Sequence, residues 1–159
     1  LLQGVEQVNA RQKRLLLEKL TAEFGEDLAG RTFAVWGLAF KPETDDMREA
    51  PSLEIVRGLV ERGARVVAHD PEARPEAERH FADLLADGSL RLAEHNYDCL
   101  PGADALLILT EWRPYRQPDF ARIRQQLRAP VIFDGRNLYT PERMREEGFH
   151  YVSIGRPAV

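Results

Sequence analysis

Apolar positions along the chain repeat with two different periods, and the alternation between them outlines the architecture. Leu1, Val5, Val8, Leu16, Leu20 and Phe24 recur at helical spacing with charged residues between them. That is the stripe of an amphipathic helix running to about Phe24. Gly25 and Gly30 bracket a break after it. Thr32-Phe33-Ala34-Val35-Trp36 is a short apolar run, the mark of a buried strand. Pro51 opens a helix that turns Leu53, Ile55, Val56, Leu59 and Val60 inward, and Gly63 ends it. A second strand, Arg65 to His69, closes on Asp70-Pro71, and a helix follows over Glu76 to Ala86. Leu90-Arg91-Leu92 is a short strand candidate, and Ala105 to Leu109 is a clear strand. Phe120 to Leu127 reads as helix, Pro130 to Phe133 as a strand ended by Asp134-Gly135. Pro141 to Glu147 is a helix and Tyr151 to Ile154 a last strand.

Strands that alternate with helices and are apolar on both faces belong to a parallel sheet covered on both sides. Right-handed crossovers then give an α/β fold, a Rossmann-like doubly wound parallel sheet, with the first helix lying outside it.

Composition narrows the class. Hydrophobic residues make up 43% of the 159 and charged residues 30%, enough apolar material for an ordinary single core. The net charge of −4 argues against a nucleic-acid or anionic-membrane binder, which needs a basic surface. No apolar run approaches the roughly 20 residues of a membrane helix. A single cysteine, Cys99, allows no intrachain disulfide and no cysteine-based metal cluster, and a reducing, cytoplasmic compartment is expected. The chain opens on Leu1 in the middle of a helical pattern, as a piece of a longer protein would.

Ligands of a doubly wound sheet bind at the carboxyl ends of its strands, near the point where strand order reverses. Three strand ends carry suggestive residues: Gly37 to Arg48, Asp70, and Asp134-Gly135-Arg136-Asn137. A dinucleotide fingerprint wants glycine at three positions and an acid about 20 residues on. Here the positions hold Gly37, Ala39 and Pro42, and Asp70 lies too far along, so the fingerprint fails. The better reading is a phosphate-bearing ligand gripped by Lys41, one of three lysines, and by the guanidinium fork of Arg136. The competing reading makes both ordinary surface cations. Arg48 likewise either serves a ligand or pairs with Asp45 or Asp46 in a solvated contact worth little. The four histidines show no metal-ligand spacing. Cys99 reads as a buried thiol rather than a nucleophile, and Trp36 and Trp112 as core.

The run Trp36-Gly37-Leu38-Ala39-Phe40-Lys41-Pro42-Glu43-Thr44-Asp45-Asp46-Met47-Arg48-Glu49-Ala50-Pro51-Ser52 resembles the opening of the C-terminal, UDP-binding domain of UDP-glucose 6-dehydrogenases. More broadly it resembles the nucleotide-diphosphate-sugar dehydrogenases. Asp70-Pro71, Thr110-Glu111-Trp112, Phe133-Asp134-Gly135-Arg136-Asn137 and Ile154-Gly155-Arg156 are similar to later family segments in the same order. Val8-Asn9 and Gln12 are similar to the end of the family's long interdomain helix. The resemblance thus implies residues 1–25 as the end of a connecting helix and 26–159 as a UDP-sugar-binding domain.

It also implies roles. Phe40 and Lys41 match positions that contact the UDP-sugar, Arg136 one that holds the diphosphate-sugar, and Arg48 one that reaches the phosphates of NAD across the interdomain cleft. The implied reaction oxidises the sugar C6 alcohol of UDP-glucose to a carboxylate with NAD and a cysteine nucleophile. The family segment that carries that cysteine is not among these residues, and Cys99 does not match it. The chain on its own is therefore expected to bind substrate without dehydrogenase activity. No catalytic residue and no metal ligand is expected in it. A homodimer or higher homo-oligomer of the full enzyme is implied. The alternatives are a UDP-acetylhexosamine or GDP-mannose dehydrogenase domain, or a non-catalytic nucleotide-binding module.

Overall fold

A computed structural model describes residues 14–159. The helix α1 covers residues 14–24 among these; Leu1, Val5, Val8, Asn9 and Gln12 lie outside the described residues. There follow β1 (Thr32–Trp36), α2 (Pro51–Glu61), β2 (Arg65–His69), α3 (Arg74–His80), α4 (Ala82–Ala86) and β3 (Leu90–Leu92). After a 3-10 turn at Asn96–Cys99 come β4 (Ala105–Ile108), α5 (Arg113–Arg116), α6 (Phe120–Gln126), β5 (Val131–Asp134), α7 (Pro141–Glu146) and β6 (His150–Ser153).

The strands form one six-stranded sheet in the order β3-β2-β1-β4-β5-β6. Every pairing is parallel. The chain works outward from β1 to β3, then returns to set β4 on the other side of β1. The order therefore reverses between β1 and β4, where a doubly wound sheet opens a crevice. Successive residues of a strand point to opposite faces, yet Phe33, Ala34, Val35 and Trp36 are all fully buried, so both faces are covered.

The described part of α1 packs onto this unit. Leu16 and Leu20 belong to its core, and the ring of Phe24 meets Phe33 edge-on at 5.4 Å. Lys19 Nζ donates to the Ser153 carbonyl at 2.7 Å, tying the helix to the end of β6. The helix expected over Glu76 to Ala86 is two helices. They meet at Phe81, where φ −116° and ψ 25° turn a fully buried ring inward. The last strand begins one residue earlier than its apolar run, at His150. No helix among the described residues is long and apolar enough to cross a membrane.

Candidate functional site

The loop after β1 is pinned by side chains from three other places. Gly37 turns the chain at φ +99°, and a Cβ there would stand 2.6 Å from Thr110 Cβ. Only glycine meets both demands. The amides of Leu38 and Ala39 donate to Asp70 Oδ2 at 2.8 and 2.9 Å. Their carbonyls accept from Ser52 Oγ at 2.7 Å and Thr110 Oγ1 at 2.6 Å. The loop's backbone groups are thus consumed internally, and Asp70 is an organiser of the loop rather than a ribose ligand. This is a physical reason for the failed dinucleotide fingerprint: a phosphate needs those amides free.

The loop after β5 is braced in the same manner. Asp134, fully buried, accepts from the Arg136 amide at 2.9 Å, the Leu138 amide at 2.7 Å and the Tyr151 hydroxyl at 2.6 Å. Burial and the Asp134 carboxylate push the Tyr151 phenol up from its ordinary value. Asn137, at φ +54°, bonds both ways to the backbone of Ile154: its Nδ2 donates to the carbonyl at 2.9 Å, and its Oδ1 accepts from the amide at 3.0 Å. Arg156 Nη2 donates to the Tyr139 carbonyl at 3.0 Å.

Between these loops lies a cleft of about 850 Å³, walled by Phe40, Glu111, Arg116, Arg136 and Asn137 and reached by Leu16 of α1. Phe40, 44% exposed, is the one large apolar side chain left open among the described residues. Two of the four sequence-derived site residues, Phe40 and Arg136, therefore share a cavity although they come from different strand ends. Lys41 is exposed beside Phe40 but is not part of the cleft wall, and among the described residues it makes no hydrogen bond or ion pair. Arg48 stands apart from the wall and holds Asp46, with Nε to Oδ1 at 3.0 Å and Nη2 to Oδ2 at 2.9 Å. Arg48's hydrogen bonds hold the Asp46 carboxyl down at about 2. Its side chain is nonetheless 85% exposed, so the fork can exchange partners.

Arg136 is paired as well. Its Nε and Nη2 grip the Glu111 carboxylate, the second contact at 2.9 Å. The guanidinium holds the Glu111 carboxyl below its usual range, and the carboxylate raises Arg136 in return. Sequence reasoning overlooked Glu111 and Arg116 as parts of the site. A signal for Glu111 was available, because it follows β4, the strand across the reversal from β1. Cys99 is 1% exposed and burial pushes its thiol up to about 12, which fits an inert core thiol. Trp36 and Trp112 are buried, Trp36 stacked on Tyr115 at 5.0 Å. The cleft can thus offer an aromatic ring to a flat group and guanidinium forks to anionic oxygens.

The chain is similar to known proteins over nearly its whole length. Residues 34–141 match the profile of the UDP-glucose/GDP-mannose dehydrogenase family, UDP binding domain. A UDP-glucose 6-dehydrogenase of Pseudomonas aeruginosa is 51% identical over 157 residues, covering 99% of this chain and 35% of the relative. The UDP-glucose 6-dehydrogenase TuaD of Bacillus subtilis is 40% identical over 159 residues, 100% of this chain and 33% of the relative. Among solved structures, a UDP-glucose dehydrogenase from the hyperthermophilic archaeon Pyrobaculum islandicum superposes with a TM-score of 0.75 at 35% identity. It covers 94% of this chain and 31% of that one. The chain spans about a third of the length of the curated relatives it matches. On the profile match and these identities together, the chain belongs to the UDP-glucose/GDP-mannose dehydrogenase family and carries its UDP binding domain.

Proposed function

We propose that this domain holds the nucleotide sugar of an NAD-dependent UDP-glucose 6-dehydrogenase, with the UDP part in the cleft between the β1 and β5 loops. The observation that carries the reading is the convergence of Phe40 and Arg136, from separate strand ends, on one cavity at the strand-order reversal. Phe40 offers a face to a flat or apolar part of the ligand, Arg136 a fork to the diphosphate, and Lys41, next to Phe40 in the chain, a mobile charge. The names of the relatives at 51% and 40% identity favour UDP-glucose over a UDP-acetylhexosamine or GDP-mannose.

Binding the remote UDP portion positions the C6 alcohol for a reaction carried out elsewhere in the full protein. NAD, when bound there, supplies the hydride acceptor. The residues of this chain fit only one share of that cofactor. The amides of Leu38 and Ala39 are taken by Asp70, whereas Arg48 is exposed and has a fork suited to a phosphate. Arg48 therefore serves the cofactor from outside its main pocket. The single, buried Cys99 supplies no nucleophile, so the 159 residues alone produce no NADH from UDP-glucose. We place the full enzyme in the cytoplasm as a homo-oligomer joined through its connecting helix.

Calorimetric titration of the full-length protein with UDP, UDP-glucose and GDP-mannose tests the reading. Uridine nucleotides are expected to bind and GDP-mannose not. Arg136→Ala and Lys41→Ala each weaken UDP-glucose binding, Arg136→Ala by roughly tenfold or more, the scale of a lost charged hydrogen bond. Unchanged binding in both variants, or preference for GDP-mannose, overturns the assignment.

A further inference from the structure

Glu111 is a carboxylate on the wall of a cleft that takes an anion, and it repels that anion. Its setting shows what it contributes in return. Thr110, just before it, is fully buried, with its hydroxyl on the Ala39 carbonyl at 2.6 Å. Trp112, just after it, is 4% exposed, with Nε1 donating to Asp70 Oδ2 at 3.1 Å. The backbone of Glu111 is thus anchored on both sides to the β1 loop and its organising aspartate.

From that footing its carboxylate grips Nε and Nη2 of Arg136. The Arg136 backbone is held separately, its amide on Asp134 Oδ1 at 2.9 Å. A long, flexible side chain is therefore set at its root and at its head. A guanidinium carries five N–H donors in two forks. Glu111 fills the Nε/Nη2 fork, which leaves Nη1 and the second Nη2 hydrogen as a fork on another edge of the plane. That fork matches two phosphate oxygens. Arg116, on the same wall, acts electrostatically on the same carboxylate and offsets its charge toward a ligand.

We propose that Glu111 is a positioning residue, which occupies one fork of Arg136 so that the other is presented, already oriented, to the diphosphate of the ligand. The proposal rests on the UDP-sugar reading above. An arginine ordered beforehand loses less side-chain entropy when the phosphate arrives. The charge of Glu111 is offset at close range by Arg136, which it pairs, and by Arg116 on the same wall. Orientation therefore outweighs repulsion.

The experiment measures UDP and uridine affinities of the full-length protein by competition titration at physiological salt. Glu111→Ala is expected to weaken UDP roughly tenfold. Glu111→Gln, which keeps one acceptor for Arg136, weakens it roughly threefold. Uridine, which lacks phosphate, binds all three proteins equally. In an Arg136→Ala background, Glu111→Ala adds no further loss, because the group it positions is gone. Tighter or unchanged UDP binding by Glu111→Ala overturns the proposal, as does an equal loss for uridine or a loss that persists without Arg136. Wild-type protein that binds neither UDP nor UDP-glucose overturns the underlying reading instead.

Discussion

Asp70 and Asp134 sit at two strand ends facing one edge of the sheet, and both turn inward. Asp70 gathers five donors: the amides of Leu38, Ala39, Glu72 and Ala73 and the indole of Trp112. Buried carboxylates survive folding only when donors replace the lost water. That they organise loops instead of meeting a ligand depends on which atoms face them, and residue type and position do not reveal it. Beside Asp70, His69 is buried, with Nδ1 at 2.7 Å from the Tyr115 hydroxyl. Burial lowers its pKa, and the neighbouring charges of Asp70 and Asp98 only partly oppose this. The unfolded chain then binds a proton as the pH drops through about 6.5, while the folded chain does not. Stability is therefore expected to fall between pH 7.5 and pH 5.5, read from urea midpoints, and His69→Gln should flatten that slope. An equal slope in the variant removes His69 as the cause.

At the scale of elements, α2 starts where its Pro51 predicts, and its second residue, Ser52, holds the β1 loop by bonding the Leu38 carbonyl. Helix and loop are thus one unit, joined on the other side by Gly37 against Thr110. Gly37→Ala combines a left-handed backbone with a Cβ at 2.6 Å from another side chain. Strain of this kind plus overpacking costs about 2–5 kcal/mol. Denaturant unfolding should register that loss, together with weaker UDP binding, because Phe40 is carried by the same loop. A variant as stable as the parent would mean that the loop relaxes freely. The break between α3 and α4 had no sequence signal: no glycine or proline stands there, only a phenylalanine that the core draws inward.

At the scale of the whole molecule, the sheet order brings the loops after β1, β4 and β5 to one edge, with α1 lending Leu16 to the same cleft. Arg48 stays off that wall, paired with Asp46 and open to solvent. Its role is expected to cross to another part of the full enzyme. Arg48→Ala should leave the urea midpoint and the UDP affinity unchanged while raising the KM for NAD severalfold in steady-state assays. A rise in the KM for UDP-glucose alone would assign Arg48 to the sugar site instead.

Much of this protein was determined by the order of its residues alone. Continuous apolar runs alternating with amphipathic ones require a parallel sheet covered on both faces, and the spacing of turn residues sets where each element stops. The motif from Trp36 to Ser52 pointed to the family and to Phe40, Lys41 and Arg48, and the segment from Phe133 to Asn137 pointed to Arg136. Only the tertiary structure decided which of these share a cavity and which polar groups are already spent. Glu111 meets Arg136 across 25 positions of chain, and Asp70 closes on Leu38 across 32. Such partnerships arise from strand order and side-chain direction, which no local pattern in the sequence records.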